Sequence, residues 1–301
     1  MRELLNLQLM MFLLMIIGLV LRKLNIITAE GKKCLTDLVI NIILPANIIK
    51  SFIIEFNQRI LLNFLAIFLI SIGIQVFCTI LSNVLYKKQE RGRRKVLQYG
   101  IICSNAGFLG NPIAEGVFGS MGLSLASVYL IPQRIVMWSA GISYFTQSPD
   151  RKTLVKKVVT HPCIVAVVIG ILIMLTQVSL PEPVVETISS LSSCCTAVSM
   201  IVIGTILSEV DIRSMIDKTV FSYTILRLVL IPLSVYLVCR MLPVEPLITG
   251  VSTLLAAMPC GATTAILATK YDGDDIFATK CVVFSTVASL ATTFLWSIIL
   301  L

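Results

Sequence analysis

Long apolar stretches separated by short polar ones run through the whole chain. Each apolar stretch is about 20 residues long, the length that an α-helix needs to cross the hydrocarbon core of a bilayer. We expect ten membrane-spanning helices, at roughly residues 4–22, 35–54, 61–85, 96–119, 121–146, 158–179, 184–208, 218–240, 245–270 and 275–299. The pattern predicts an all-α membrane protein with a single transmembrane domain, residues 1–301.

Two of these spans are interrupted in the middle by proline, small residues and polar side chains. The interruptions are residues 104–112 in the fourth span and residues 257–264 in the ninth. Proline lacks the N–H of a helical hydrogen bond and clashes with the preceding turn, so it frees backbone oxygens. A bilayer tolerates such breaks only where they line a cavity inside the protein. Paired breaks in two half-chains therefore indicate the binding site of a transporter.

The positions of the two breaks also indicate an internal repeat. Pro112 and Pro259 are about half the chain length apart, and each falls in the fourth span of its half. An odd number of spans in each half places the second half upside down relative to the first. We expect two inverted five-helix repeats, residues 1–146 and 158–301, joined by a cytoplasmic loop at 147–157. Spans four and nine are expected to be broken and to cross at their breaks.

The charges predict the orientation of the chain. The sequence is 57% hydrophobic and 13% charged, with 24 lysines and arginines and a net charge of +8. Most of these basic residues lie in loops that follow odd-numbered spans, and the densest group is at residues 87–95. Because basic loops stay in the cytoplasm, both termini are predicted to be extracellular, in a multi-pass protein of the plasma membrane. Topology thus accounts for the positive charge, and no nucleic-acid partner is expected.

The chain offers little material for metal binding or catalysis. Its nine cysteines show no C-x-x-C spacing, and His161, at the predicted start of span six near the interface, is the only histidine. We therefore expect no metal site and no cofactor. A membrane enzyme would need paired acids, or a nucleophile with a base, at membrane depth, and no such group is evident. The sequence predicts a protein that is not an enzyme.

Groups that could bind an anion lie at and near the two breaks. Asn111 before Pro112 is typical of a helix N-cap and first position, and Met258 before Pro259 predicts a second helix start. The free N–H groups and positive dipole ends of such half-helices favour an anion. The alternative is that the prolines only kink the helices and the amides satisfy freed carbonyls. The predicted substrate-binding residues are Asn105, Gly107, Asn111, Pro112, Gln133, Arg134, Met258, Pro259 and Thr263.

Charged residues at membrane depth are costly and are therefore candidates for a functional role. Arg134, near the centre of span five, is either the countercharge of a bound anion or the ion-pair partner of Glu115 or another buried acid. Glu115 is either a proton carrier that couples transport or a charge that compensates the helix dipole. Arg227, in span eight, is expected to reach the cytoplasmic boundary.

Several motifs carry a resemblance to a known family. The most specific is the span-four motif Cys-Ser-Asn-Ala-Gly-Phe-Leu-Gly-Asn-Pro-Ile at residues 103–113, followed by residues 118–123. Residues 227–232, 258–274 and 285–290 add similarity in spans eight to ten. The chain resembles the bacterial permeases of the auxin efflux carrier family.

This resemblance implies a ten-helix fold of two inverted repeats, related to the bile acid sodium symporters. It also implies transport of organic anions such as malate, and a homodimer formed through scaffold helices. By position, Asn105, Pro112 and Pro259 would be the crossover residues.

Pattern and resemblance together predict a secondary transporter, or permease. It would move a small organic anion, such as a mono- or dicarboxylate, by alternating access, with the substrate bound where spans four and nine cross. The expected partners are this anion and the lipid bilayer. Coupling to protons, to sodium or to the membrane potential stays open at this point. The alternative function is a non-transporting sensor or receptor built on a carrier fold.

Overall fold

A computed structural model describes residues 2–145, 151–208, 217–271 and 273–301. In these ranges the secondary structure is helical apart from one isolated antiparallel bridge. The helices are α1 (Arg2–Lys23), α2 (Ala29–Leu38), α3 (Leu44–Ser51), α4 (Gln58–Val84), α5 (Arg91–Ile102), α6 (Asn111–Val136), α7 (Ile142–Phe145), α8 (Arg151–Val159), α9 (Pro162–Thr176), α10 (Glu182–Leu207), α11 (Lys218–Ile225), α12 (Ile231–Met241), α13 (Pro246–Ala256), α14 (Thr263–Lys270) and α15 (Asp275–Leu300). The predicted loop 147–157 lies partly outside the described residues, and its second part belongs to α8.

Much of the helical surface is apolar. Within the described ranges, six helical segments are long and apolar enough to cross a membrane: Ala29–Ser51, Gln58–Val84, Ala106–Phe145, Glu182–Leu207, Lys218–Met241 and Asp275–Leu300. Two shorter apolar helices, α9 and α13, lie between them in sequence. Large apolar side chains such as Leu62 and Leu65 point outward along α4. A helical protein that exposes leucine in this way is suited to lipid, because its backbone polar groups are satisfied within each helix.

Three π-helical turns, Val39–Ile43, Ala106–Gly110 and Leu226–Leu230, each end two residues before a proline. The prolines are Pro45, Pro112 and Pro232. Proline has no N–H to donate, and the wider π turn lets the helix continue past it. Asn111 accordingly has helical backbone angles, and its N–H donates to the Ala106 carbonyl. The predicted half-helix start at Asn111 and Pro112 is therefore wrong, because the helix already begins at Ala106.

A single glycine interrupts α6 with a kink. Gly119 has φ of 67° and ψ of −163°. This left-handed region is open to glycine because it has no Cβ. Residues before and after Gly119 therefore form two helical arms, which correspond to the end of predicted span four and the first part of predicted span five.

Helices α1 and α10 pack with their backbones in close contact at glycines. A Cβ placed on Gly18 would overlap the Ile201 carbonyl, and one placed on Gly204 would overlap the Met15 carbonyl. Small residues allow this approach, and van der Waals packing then holds the helices together in a bilayer. Gly73 on α4 differs, since no atom lies within 4 Å of the corresponding Cβ position.

This contrast gives a stability prediction. Gly204→Ala should lower the free energy of unfolding by about 1–3 kcal/mol, because α1 and α10 must separate to admit the methyl group. Gly73→Ala, the matched control, should leave stability unchanged or slightly raised, since alanine is the better helix former. Thermal unfolding of the purified variants in one detergent measures both. Equal melting temperatures for the two variants would contradict the close packing of α1 on α10.

Ion pairs join helix starts that are distant in sequence. At one end, Arg59 on α4 pairs with Glu245, which precedes α13, and its hydrogen bond holds the pKa of Glu245 below the ordinary value. At the other end, Arg93 on α5 lies 3.1 Å from Asp217 and 3.3 Å from Asp274. Both aspartates cap the helices that follow them, α11 and α15. The two clusters hold together helix ends from both halves of the chain.

Candidate functional site

Two non-helical segments meet in the interior of the protein. Helix α5 ends at Ile102 and α13 ends at Ala256, and the residues after each are not helical. The Asn105 N–H donates to the Pro259 carbonyl at 2.8 Å, and the Gly261 N–H donates to the Cys103 carbonyl at 3.0 Å. This short antiparallel pairing satisfies backbone groups that have no helical partner. The two breaks thus lie side by side.

After each break a new helix begins. The first resumes at Ala106, with Asn105 in the cap position, and the second resumes at Thr263. The predicted start at Met258 and Pro259 is wrong, since both residues lie in the non-helical segment. A residue that precedes proline is disfavoured in helical conformation, and the Pro259 carbonyl is used in the pairing with the other break.

A cavity of about 150 Å³ opens beside the paired breaks. Its lining comes from both breaks and from three other parts of the chain, namely the segment before α3, the C-terminal part of α6 and the start of α9. Five predicted site residues line it: Asn105, Gly107, Gln133, Arg134 and Thr263. Four others do not: Asn111, Pro112, Met258 and Pro259. The cavity is smaller than the pockets of drug-sized ligands, so it suits a molecule of a few carbon atoms.

Arg134 brings a positive charge to the cavity, and the described part of the chain supplies no acidic partner for it. Its side chain is 6% exposed, and Nη1 is buried with no hydrogen bond. A Cβ placed on Gly107 would lie 3.7 Å from the Nη2 atom, so the guanidinium is beside the first helical turn after the break. No acidic side chain among the described residues pairs with Arg134, and the ion pair with Glu115 is absent. A buried cation without a countercharge is costly, so an anion in this cavity would be stabilised.

Asn105 and Thr263 add neutral polar groups to the cavity wall. Asn105 is 8% exposed, and its side chain makes no hydrogen bond within the described ranges. The Thr263 hydroxyl accepts from the Tyr99 hydroxyl at 3.3 Å. The Asn105 amide is thus free to donate to a bound oxygen.

Gln133 fits the alternative in which the amide side chains satisfy backbone carbonyls freed at the breaks. Its Nε2 donates to the Ser104 carbonyl at 2.9 Å, and its Oε1 accepts from the Ser104 hydroxyl at 3.2 Å. Both ends of this amide are occupied by one residue of the break. Gln133 therefore satisfies a carbonyl that the break leaves without a helical partner.

His161 also lines the cavity, which sequence reasoning missed. It is half-buried and forms the N-cap of α9. Its Nδ1 accepts from the Cys163 N–H at 3.3 Å. The only signal in the sequence was its position just before Pro162, which is typical of a helix start.

Arg227 was expected to reach the cytoplasmic boundary, and the structure shows its side chain buried against the two breaks. It is 3% exposed, and its Nε donates to the Met258 carbonyl at 3.0 Å while its Nη1 donates to the Ile101 carbonyl at 3.3 Å. The Ile101 carbonyl lies in the last turn of α5, and the Met258 carbonyl lies two residues beyond the end of α13. A positive charge is favourable beside helix C-terminal ends. Arg227 therefore links the end of α5 to the non-helical segment that follows α13.

Glu115 does not line the cavity. It is half-buried on α6, and its Oε2 accepts from the Asn47 amide at 3.1 Å. The same Asn47 nitrogen donates to the Ser192 hydroxyl at 3.0 Å. The cluster joins α3, α6 and α10, away from the paired breaks.

A larger groove of about 430 Å³ lies between α4 and α12. Its lining is apolar apart from Ser234, whose hydroxyl donates to the carbonyl of its own helix. It offers no cation and no free donor to an anion. The smaller cavity at the breaks is therefore the better candidate for a charged solute.

Comparison with known proteins identifies the family. The profile of the family described as membrane transport protein matches residues 5–297, nearly the whole chain. The chain belongs to this family of membrane transporters. The resemblance to the auxin efflux carrier family is thereby confirmed.

Two curated relatives of the transporter come from archaea. One, described as an uncharacterized transporter of Methanothermobacter thermautotrophicus, is 28% identical over 295 residues and covers 95% of both chains. The other, an uncharacterized transporter of Methanocaldococcus jannaschii, is 23% identical over 304 residues and covers 97% of both chains. The similarity extends over nearly the whole of each chain, so the interior breaks and the cavity fall inside the matched region.

Proposed function

We propose that this transporter is a secondary carrier of a small organic anion that binds in the cavity beside the paired breaks. The observation that carries this proposal is Arg134, a buried guanidinium without an acidic partner among the described residues. Asn105 adds a free amide, and the first turns after the breaks add backbone N–H groups. Such groups favour carboxylate oxygens at a helix start.

The proposed architecture is ten spans in two inverted repeats, with the fourth and ninth spans crossing at their breaks. The backbone pairing between Asn105 and Pro259 supports a crossing, because it brings together positions about half a chain apart. Alternating access would move the cavity between the two sides of the membrane. Plasma-membrane insertion with extracellular termini follows from the basic loops. A homodimer is part of the proposal through the family resemblance alone.

Glu115 is the proposed site of coupling to protons. It joins the arm of α6 that follows the first break to α3 and α10 through Asn47 and Ser192. Protonation would remove the negative charge that accepts the Asn47 hydrogen bond and would loosen this junction. Sodium coupling and a uniport driven by the membrane potential are the competing mechanisms, and the pH, sodium and voltage dependence of flux separates them.

Counterflow in proteoliposomes tests the proposed function. Vesicles loaded with unlabelled pyruvate should accumulate labelled pyruvate transiently, because a carrier exchanges substrate across the bilayer. Asn105→Ala should slow this exchange about tenfold, the effect of one lost hydrogen bond to a charged group. Asn41→Ala, the control, should exchange like the wild type, since Asn41 is exposed and donates only to its own helix.

The sensor alternative makes a different prediction in the same experiment. A receptor on a carrier fold would bind small organic anions saturably without exchanging them. A panel of mono- and dicarboxylates separates the two functions. If anions of this panel bind saturably and none shows counterflow, the protein is a receptor and not a carrier.

A further inference from the structure

The cavity beside the breaks carries a single formal positive charge. Among its lining residues Arg134 is the one side chain of permanent charge, and no aspartate or glutamate is present. The first turns after the breaks contribute peptide dipoles, which amount to roughly half a charge at a helix end. Arg134 is therefore the one full cation that can pair with a carboxylate in this cavity. The dipoles at the two helix starts are partial charges that act only within the first turn, so they do not replace a second cation.

His161 is the residue that decides whether a second charge could be compensated. Its Nδ1 accepts the Cys163 N–H, so this nitrogen carries no proton and the ring proton sits on Nε2. If Nδ1 carried a proton, its N–H would face the Cys163 N–H, and two hydrogen-bond donors would be in contact at the start of α9. The hydrogen bond at the cap therefore keeps His161 as a neutral donor and not as a second cation.

The remaining wall of the cavity is largely apolar. Side chains from five different helical elements contribute to it: Ile40, Leu44, Phe108, Leu130 and Met137. A carboxylate placed against these groups would lose its water and gain no partner, which is strongly unfavourable. The same wall accommodates the short carbon chain of an anion whose single carboxylate faces Arg134.

We propose that the cavity selects small monocarboxylates over dicarboxylates, and that neutral His161 is the specificity-determining residue. The inference rests on the proposed function, since it concerns the anion bound at the same cavity. The carboxylate lies against Arg134 and the Asn105 amide, with the Nε2–H of His161 donating a further neutral hydrogen bond. The carbon chain lies against the apolar wall.

Competition between two anions matched in number of non-hydrogen atoms tests the selectivity. Uptake of labelled pyruvate into proteoliposomes is measured with unlabelled 2-oxobutanoate or malonate as competitor. 2-Oxobutanoate should inhibit at a concentration at least about tenfold lower than malonate, because the second charge of malonate stays uncompensated. Equal inhibition, or stronger inhibition by malonate, overturns the proposed selectivity. Pyruvate uptake in the same experiment would still support the proposed carrier function. Absence of uptake and counterflow for every organic anion in the panel overturns the carrier, and this inference with it.

Two variants at His161 separate a specificity role from a capping role. Serine is a good N-cap, so His161→Ser should keep α9 and its thermal stability but lose the Nε2–H donor. The KM for pyruvate should rise about tenfold. His161→Lys adds the missing second cation and should shift the ratio of malonate to pyruvate uptake toward malonate. A His161→Ser variant with wild-type KM and wild-type selectivity reduces His161 to a cap and overturns its assignment.

The wild-type protein allows a direct check of the ring. His161 is the only histidine, so a sample with isotope-labelled histidine shows a single imidazole by nitrogen NMR. At neutral pH the spectrum should show an unprotonated Nδ1 and a protonated Nε2. An imidazolium, or the opposite tautomer, contradicts the neutral donor.

Discussion

Replacing Arg134 with glutamine should lower the rate of anion uptake by about 100-fold or more. The guanidinium is buried beside Gly107 and has no acidic partner among the described residues, so a bound carboxylate would be its countercharge. Removing one partner of a buried charge pair costs about 3 kcal/mol or more, which corresponds to this loss in affinity or rate. Uptake of labelled pyruvate into proteoliposomes at equal protein content measures the effect.

Two further variants make the Arg134 result specific. Arg134→Lys keeps the charge but loses the planar fork, so it should retain part of the activity. Arg240→Gln removes an exposed arginine at the end of α12 and should transport like the wild type. Since an unpaired buried cation destabilises the empty protein, Arg134→Gln should melt at the same or a higher temperature. Full transport by Arg134→Gln would contradict the proposed binding site.

Replacing Arg227 with methionine should destabilise the whole protein. Its side chain donates to carbonyls at the ends of α5 and α13, which would then have no partner in the interior. Each buried carbonyl left unsatisfied costs about 1–3 kcal/mol, so the loss should be about 3 kcal/mol in total. The melting temperature in detergent should fall by roughly 5–10 °C.

The control for Arg227 uses the same substitution at the surface. Arg240→Met should melt close to the wild type, because it removes an exposed charge. Arg227→Lys should give an intermediate melting temperature, since one ammonium group can reach fewer of the carbonyls at once than the guanidinium fork. If the melting temperature of Arg227→Met equalled that of the wild type, the hydrogen bonds of Arg227 would not contribute to stability.

The helical and membrane character of the protein follows directly from its sequence. Apolar stretches of bilayer length predict helices because a backbone in lipid must satisfy its own hydrogen bonds. The family assignment likewise came from local motifs, above all residues 103–113, and the family profile confirms it. The proline-containing stretches also depart from regular α-helix in the structure. Proline lacks a backbone N–H and clashes with the preceding turn, whatever the tertiary surroundings are.

The details of those departures could not be predicted from local rules. At Pro112 the missing hydrogen bond is absorbed by a π turn, and the helix continues. At Pro259 the same residue type lies in an extended segment, where its carbonyl pairs with Asn105. Proline is thus accommodated within a helix at one break and in an extended segment at the other. The difference depends on which segment packs beside it.

By itself the sequence determined the membrane class, the family and the places where helices are interrupted. These properties depend on residues close together in the chain, through helix hydrogen bonding and apolar periodicity. Only the tertiary structure decided that Arg134 lacks an acidic partner in the described ranges, that Arg227 bridges two helix ends and that His161 reaches the cavity. The reason is physical: each of these properties depends on packing between helices distant in sequence, and no local pattern specifies which groups such packing brings together.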